Sequence, residues 1–167
     1  KKLFSISKSL SEINEIIGKQ VFYSNIEMNF NYKNENEELL IYGYENEFKQ
    51  VLLNLINNAK NKIVEKDIDF RKKAKIDINI KRTSNFNIIE IIDDGGKIDD
   101  KIINSIFEPY FTTKEEGTGI GLYMAKVIIE DKMRGTITVK NDDNNVIFTI
   151  KLPHKKRSEE HTSELQS

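Results

Sequence analysis

The sequence has no cysteine. That removes disulfides, thiolate metal sites and thiol nucleophiles, and it fits a reducing compartment. There is no excess of charge of either sign: 26 Lys and Arg stand against 27 Asp and Glu. No polyelectrolyte field therefore points to nucleic acid or to an anionic membrane, and any phosphate-bearing ligand has to be held by local geometry. Apolar runs fall far short of a bilayer span and no signal peptide is visible, so the segment is expected to be cytoplasmic, with no direct membrane contact. Histidine is scarce. His154 and His161 both sit in the C-terminal region, which makes neither a good catalytic candidate.

The 167 residues are the length of one domain and enough to bury a core. The chain opens on KKLFSISKSL without an initiator methionine, so the expectation is a piece of something longer. Its last eleven residues, RSEEHTSELQS, resemble the translation of a common sequencing-adapter oligonucleotide. Residues 157–167 are set aside as a non-native tail, leaving a domain over 1–156.

Leu10, Ile13, Ile16 and Ile17 recur at helical spacing and predict a short amphipathic helix over 8–18, with Ser9 or Ser11 available as its cap. Residues 20–32 alternate like a strand, as do 39–43. A long helix is predicted from Asn46 to Val64, followed by strands over 74–82 and 86–93 around the polar turn TSN. Residues 94–118 are glycine-rich and irregular, with a short helical pattern near 100–106. A helix over 119–132 and strands over 135–140 and 145–152 close the domain. Strands in adjacent pairs, with helices between the pairs, argue for an α+β fold: a two-layer sandwich of one mixed sheet with helices on one face.

Four stretches carry chemistry. In NLINNAKNKI, residues 54–63, amides interrupt an apolar helical pattern, although asparagine is a mediocre helix former. On a helical wheel, Phe48, Val51, Leu52, Leu55, Ile56, Ala59 and Ile63 form the buried stripe. Glu47, Asn54, Asn58 and Asn61 line one border of it, within roughly 60°. That border suits a polar flank facing water, and equally a flank facing a metal and phosphates, because an amide oxygen is a hard neutral ligand for Mg²⁺. In NIIEIIDDGGKID, a β-run ends on Asp93, ahead of Asp94, Gly95 and Gly96. Those residues suit an ordinary Asp-Gly turn, and also an acceptor-only carboxylate beside a backbone that a ligand can approach. Gly117, Gly119 and Gly121 lead into an apolar helix, whose free N–H groups suit phosphate. The preceding segment, with Phe107, Tyr110 and Phe111 among Thr112, Thr113 and Lys114, argues against a dinucleotide fingerprint and has the make-up of an anchored lid.

In this order the four stretches resemble the boxes of the catalytic and ATP-binding domain of bacterial sensor histidine kinases, whose superfamily includes gyrase, heat-shock chaperones and mismatch-repair ATPases. QVLLNLINNAK (50–60) corresponds to the asparagine box and IIDDGGKI (91–98) to the first glycine box. FEPYFTTK (107–114) corresponds to the phenylalanine box, GTGIGL (117–122) to the second glycine box, and FTIKLP (148–153) to the closing strand. The resemblance implies a Bergerat-type fold with a mobile ATP lid, and ATP and Mg²⁺ as cofactors. It makes Asn58 the metal ligand, with Asn54 beside it in the catalytic box and Lys60 a further phosphate contact. Asp93 would take the adenine amino group and Gly95 would let the base lie against the backbone, with Ile98 in the same box. Phe107, Phe111, Thr113 and Lys114 would belong to the lid, with Lys114 a phosphate contact like Lys60. Gly117, Thr118, Gly119, Ile120, Gly121 and Leu122 would form its hinge and the phosphate-binding helix start.

Two departures bear on mechanism. Lys97 stands where the first glycine box usually has its second glycine. If the backbone there needs a positive φ, lysine costs on the order of 1 kcal/mol and crowds the nucleotide; pointing to solvent, it does neither. The superfamily's ATPases carry a water-activating glutamate four residues before the metal-binding asparagine, and here that residue is Asn54. An amide is no base near neutral pH, so ATP would be held for a protein nucleophile rather than hydrolysed. The resemblance places that nucleophile, a histidine, in an upstream dimerisation domain of a homodimeric parent, and a response regulator as the next acceptor. The competing expectations are a hydrolase, a serine kinase of the same fold, and a non-catalytic nucleotide-sensing or partner-binding module.

Overall fold

The computed structural model describes residues 1–33, 38–66, 73–112 and 119–154. In chain order the elements are β1 (Lys2–Ser5), α1 (Ile6–Tyr23), β2 (Ile26–Tyr32), β3 (Leu40–Gly43), α2 (Glu45–Lys66), β4 (Ala74–Arg82) and β5 (Phe86–Asp93). A single 3₁₀ turn (Ile103–Ser105) follows, then α3 (Gly121–Lys126), which runs on as a π-helical turn (Val127–Lys132), and finally β6 (Thr136–Asp142) and β7 (Asn145–Pro153).

Five strands form one mixed sheet in the order β2-β4-β5-β7-β6, with β2 parallel to β4 and the other pairs antiparallel. Side chains at paired positions share a face. The rows Ile78, Ile91, Phe148 and Ile80, Ile89, Ile150 are all buried, and they run straight across β4, β5 and β7. Each fully buried isoleucine of these rows stabilises the fold by about 1.5–3 kcal/mol. The opposite face carries Asp77, Asn79, Glu90 and Thr149. There the amides of Asn29 and Asn31 donate to Asp77 and Asn79 across the β2–β4 pair. One face is thus apolar, and α1, α2 and α3 cover it, as the expected two-layer α+β sandwich requires.

The stripe predicted on the long helix is buried in full, from Phe48 to Ile63. The first helix is longer than expected. Its cap is Ser5, whose hydroxyl accepts from the Lys8 N–H at 3.3 Å, whereas Ser9 is buried inside the helix. Residues 20–23 belong to its last turn, not to a strand, because Val21 continues the buried series Leu10, Ile13, Ile17. Asn25, at φ 59°, then reverses the chain into β2. Strand β1 was not expected; it pairs antiparallel with β3 and seats Phe4 against Phe48, ring centroids 5.5 Å apart. The short helix expected over 100–106 is only the 3₁₀ turn. The π turn lets the neighbours Ile128 and Ile129 both reach the core, with Met133 N–H donating to the Ile128 carbonyl at 3.0 Å.

Candidate functional site

The β4, β5 and β7 register puts Asp93 opposite Ile76 and Val146, in the next core-facing row of the sheet. A carboxylate therefore stands where the pattern elsewhere places isoleucine, and it is 2% exposed. Its Oδ1 lies 2.7 Å from Nζ of Lys62 and accepts the Gly95 N–H at 3.1 Å. Lys62 also donates to the Gly96 carbonyl at 2.9 Å. Burial pushes the Asp93 carboxyl above its ordinary value, with the Lys62 ammonium and the Gly95 N–H opposing that rise; burial likewise pushes Lys62 down.

Glycine is required in this loop for space. A Cβ on Gly95 would stand 2.5 Å from Cγ1 of Ile63, so the bare backbone lets β5 run out against α2. Gly96 carries the positive φ, 95°. Lys97 does not, and it is exposed; the backbone strain considered for it does not arise. Beyond it, the Asn141 side chain of β6 brackets the backbone of Ile98, accepting its N–H at 2.9 Å and donating to its carbonyl at 2.7 Å.

The amide border of α2 turns toward α3. Glu47 pairs with Lys132 at 3.0 Å, and Asn54 donates to the Gly121 carbonyl at 3.4 Å while accepting from Gln50. Asn58 is half-buried on the same border, and its side chain makes no hydrogen bond to another described residue. Lys60 is turned away: its ammonium reaches Gln20 of α1 at 3.3 Å. With Lys66 beside Gly96, the α2 cation in contact with Asp93 is Lys62. Sequence reasoning missed it, although it follows Asn54 and Asn58 at the same four-residue step and lies about 40° from Asn58 on the wheel.

Phe107 and Phe111 pack against the core, Phe107 edge-on to Phe148 at 6.1 Å. Tyr110 is no anchor: it is 76% exposed at φ 65°. Its N–H donates to the Gly119 carbonyl at 2.9 Å, which brings the two flanks of the glycine-rich segment together. Gly119 is at φ 70°, and a Cβ there would be 2.3 Å from the Tyr110 carbonyl carbon. Gly121 opens α3, where Leu122 packs inward beside the half-buried Ile120. Thr113, Lys114, Gly117 and Thr118, and the tail at 157–167, lie outside the described residues.

Chemically, this is a buried acceptor at the end of a strand, a glycine loop held from two sides, and a helix flank on which the amides of Asn58 and Asn61 bond no other described side chain. Among the described residues no three carboxylates or imidazoles converge on a metal position. Over residues 43–156 the sequence matches the family described as histidine kinase-, DNA gyrase B-, and HSP90-like ATPase. The chain belongs to this family.

Within the family it is similar to sensor histidine kinases. It is 31% identical over 156 residues to sporulation kinase A of Bacillus subtilis (strain 168), an alignment covering 93% of this chain and 24% of that protein. With sensor histidine kinase ZraS of Salmonella typhimurium (strain LT2) it shares 39% identity over 106 residues, covering 62% of this chain and 21% of that one. The chain thus spans about a quarter of the length of these relatives. Among solved structures, the nucleotide-free catalytic domain of histidine kinase ThkA superimposes with a TM-score of 0.77 at 28% identity, covering 91% of this chain and 94% of that one. ThkA in complex with response regulator TrrA gives 0.76 at 26% identity, covering 92% and 42%. The fold is that of a histidine kinase catalytic domain.

Proposed function

We propose that this domain binds Mg-ATP and presents the γ-phosphate to a histidine on a dimerisation domain upstream of it in a homodimeric, cytoplasmically disposed kinase. A response regulator would be the next phosphate acceptor, in line with the ThkA–TrrA complex. The observation that carries this reading is Asp93: an aspartate in a core-facing row of the sheet, beside a glycine loop packed on α2. Buried carboxylates at the mouth of a glycine loop have a use when a ligand donor meets them.

In this reading Asp93 accepts the adenine amino group, Asn58 supplies the protein oxygen to the metal, and the start of α3 lies beside the phosphates. Bound Mg²⁺ would neutralise phosphate charge. Asn54 holds α3 through Gly121 and, being an amide, activates no water. Phosphate is then kept for a protein nucleophile, with catalysis by positioning and electrostatics.

The test is calorimetric titration of the chain with ADP and with a non-hydrolysable ATP analogue, in Mg²⁺ and in EDTA. Binding that falls at least tenfold in Asp93→Asn, and an Asn58→Ala variant that no longer responds to Mg²⁺, are expected. No binding by the folded wild-type chain would sink the reading. Incubated alone with labelled ATP, the chain is expected to form no stable phosphohistidine.

A further inference from the structure

Lys62 has no place in the site as sequence reasoning drew it, yet its ammonium makes the shortest contact to the carboxylate on which the site turns. Both polar contacts that the Asp93 carboxylate receives from the described residues, from Lys62 at 2.7 Å and from the Gly95 N–H at 3.1 Å, go to Oδ1. An oxygen with two donors is saturated, which leaves Oδ2 as the acceptor for a ligand. Lys62 is fixed in turn by the Gly96 carbonyl, so its position is set by the same loop. The charged groups facing this carboxylate are Lys62 from α2 and Asp94 from its own loop, with Lys66 of α2 acting on Lys62 and lying beside Gly96; β4 and β7 offer Ile76 and Val146.

Burial favours the protonated form of a carboxyl, and a protonated carboxyl is a donor as well as an acceptor. An ionised one is an acceptor only. We propose that Lys62 is a positioning residue that sets nucleobase specificity: its ammonium keeps Asp93 an ionised acceptor with Oδ2 turned to the base. The site then takes a purine with a 6-amino donor and rejects a 6-oxo purine, whose carbonyl oxygen would face another acceptor. The inference rests on the reading of Asp93 as the base-contacting residue. Without Lys62, Asp93 takes up a proton at a higher pH than with it, and a 6-oxo purine then becomes an acceptable partner.

The experiment measures Kd for Mg-ADP and Mg-IDP between pH 5.5 and 8.5 on wild type, Lys62→Met, Lys62→Gln and Lys62→Arg, with the Asp93 carboxyl followed by ¹³C NMR. Wild type should prefer ADP by roughly 100-fold or more, as expected where a hydrogen bond is mismatched, with a ratio flat in pH. In Lys62→Met or Lys62→Gln the preference should shrink about tenfold or more from pH 8.5 to 5.5 as Asp93 takes up a proton, and the carboxyl midpoint should rise. Lys62→Arg should restore the flat profile. A folded Lys62→Gln with the wild-type ratio at every pH overturns the proposal. So does tighter ADP binding throughout, because Lys62 would then be competing with the base for Asp93. If Lys62→Met does not fold, the Gln and Arg variants decide the matter. Wild type that binds neither nucleotide removes the ATP reading and this inference together, whereas wild type that binds ADP with the wrong variant profile removes this inference alone.

Discussion

The side-chain amide of Asn141 forms a two-point clamp on the backbone of Ile98, at 2.9 and 2.7 Å, and so ties the loop after Asp93 to the edge strand β6. Asn141→Ala removes both bonds from a half-buried site, at a cost of about 1–2 kcal/mol. The effect should be local. Amide exchange at Ile98 should accelerate well beyond that of β5, and ADP affinity should fall while the Tm moves by only a few degrees. A Tm loss with unchanged Ile98 exchange would show that the clamp does not hold the loop.

Gly119 and Gly121 sit two residues apart in one motif but differ in what their backbones require. At Gly119 a side chain meets both a positive φ and Tyr110 at 2.3 Å. Gly119→Ala should therefore break the Tyr110–Gly119 bond and cost more than about 1 kcal/mol locally. At Gly121 the nearest atoms to an added Cβ lie 3.8 Å away, on Asn54, and alanine there should favour helix by about 0.5–1 kcal/mol. Thermal melts and nucleotide affinity of the two variants check this. Equal damage from both would contradict it.

That contrast marks how far the sequence was legible. Helix α2 could be read because its apolar residues keep one period over its whole length, and β4 and β5 because a short polar turn separates two isoleucine-rich runs. The end of α1 could not be told from a strand, since QVFYSNIEMNFNY fits both periods until tertiary burial of Val21 decides. Asp93 was found because a motif ends on it, but its depth was not, because depth comes from the register with Ile76 and Val146. Lys60 and Lys62 illustrate the same limit. Two lysines two residues apart on a helix point to different neighbours, and only the packing of α1 and the Gly95 loop shows which one meets Asp93.

Lys62 and Asp93 should behave as one unit in stability. Removing one member of a buried pair leaves an uncompensated charge, at about 3–5 kcal/mol, while replacing both with neutral groups is often close to neutral. Lys62 is 19% exposed on its side chain, so the lower end of that range applies to Lys62→Met. Adding Asp93→Asn to it should recover most of the loss. A denaturant double-mutant cycle measures the coupling; strictly additive effects would mean that the pair is not formed in solution.

The Glu12–Lys49 pair, at 2.7 Å, ties α1 to α2 and has the opposite electrostatic character. The hydrogen bond from Lys49 holds the Glu12 carboxyl below its ordinary 4.5, and the same bond raises Lys49 above 10.5. A depressed carboxyl contributes stability that is present above its unfolded value and lost as the pH falls through its folded one; a raised ammonium contributes stability that is present below its unfolded value and lost as the pH rises through its folded one. The contribution of the pair is therefore flat from about pH 5 to 10 and disappears at both ends. Asp93, pushed up by burial, works the other way: its contribution is lost as the pH rises through its folded value. Glu12→Gln should thus be less stable than wild type by a constant amount across neutral pH and converge with it below pH 4.5, as urea melts at stepped pH would read. The difference should also shrink in high salt, because both side chains are partly exposed. A gap that widens in acid would mean that the pair is not what links the two helices.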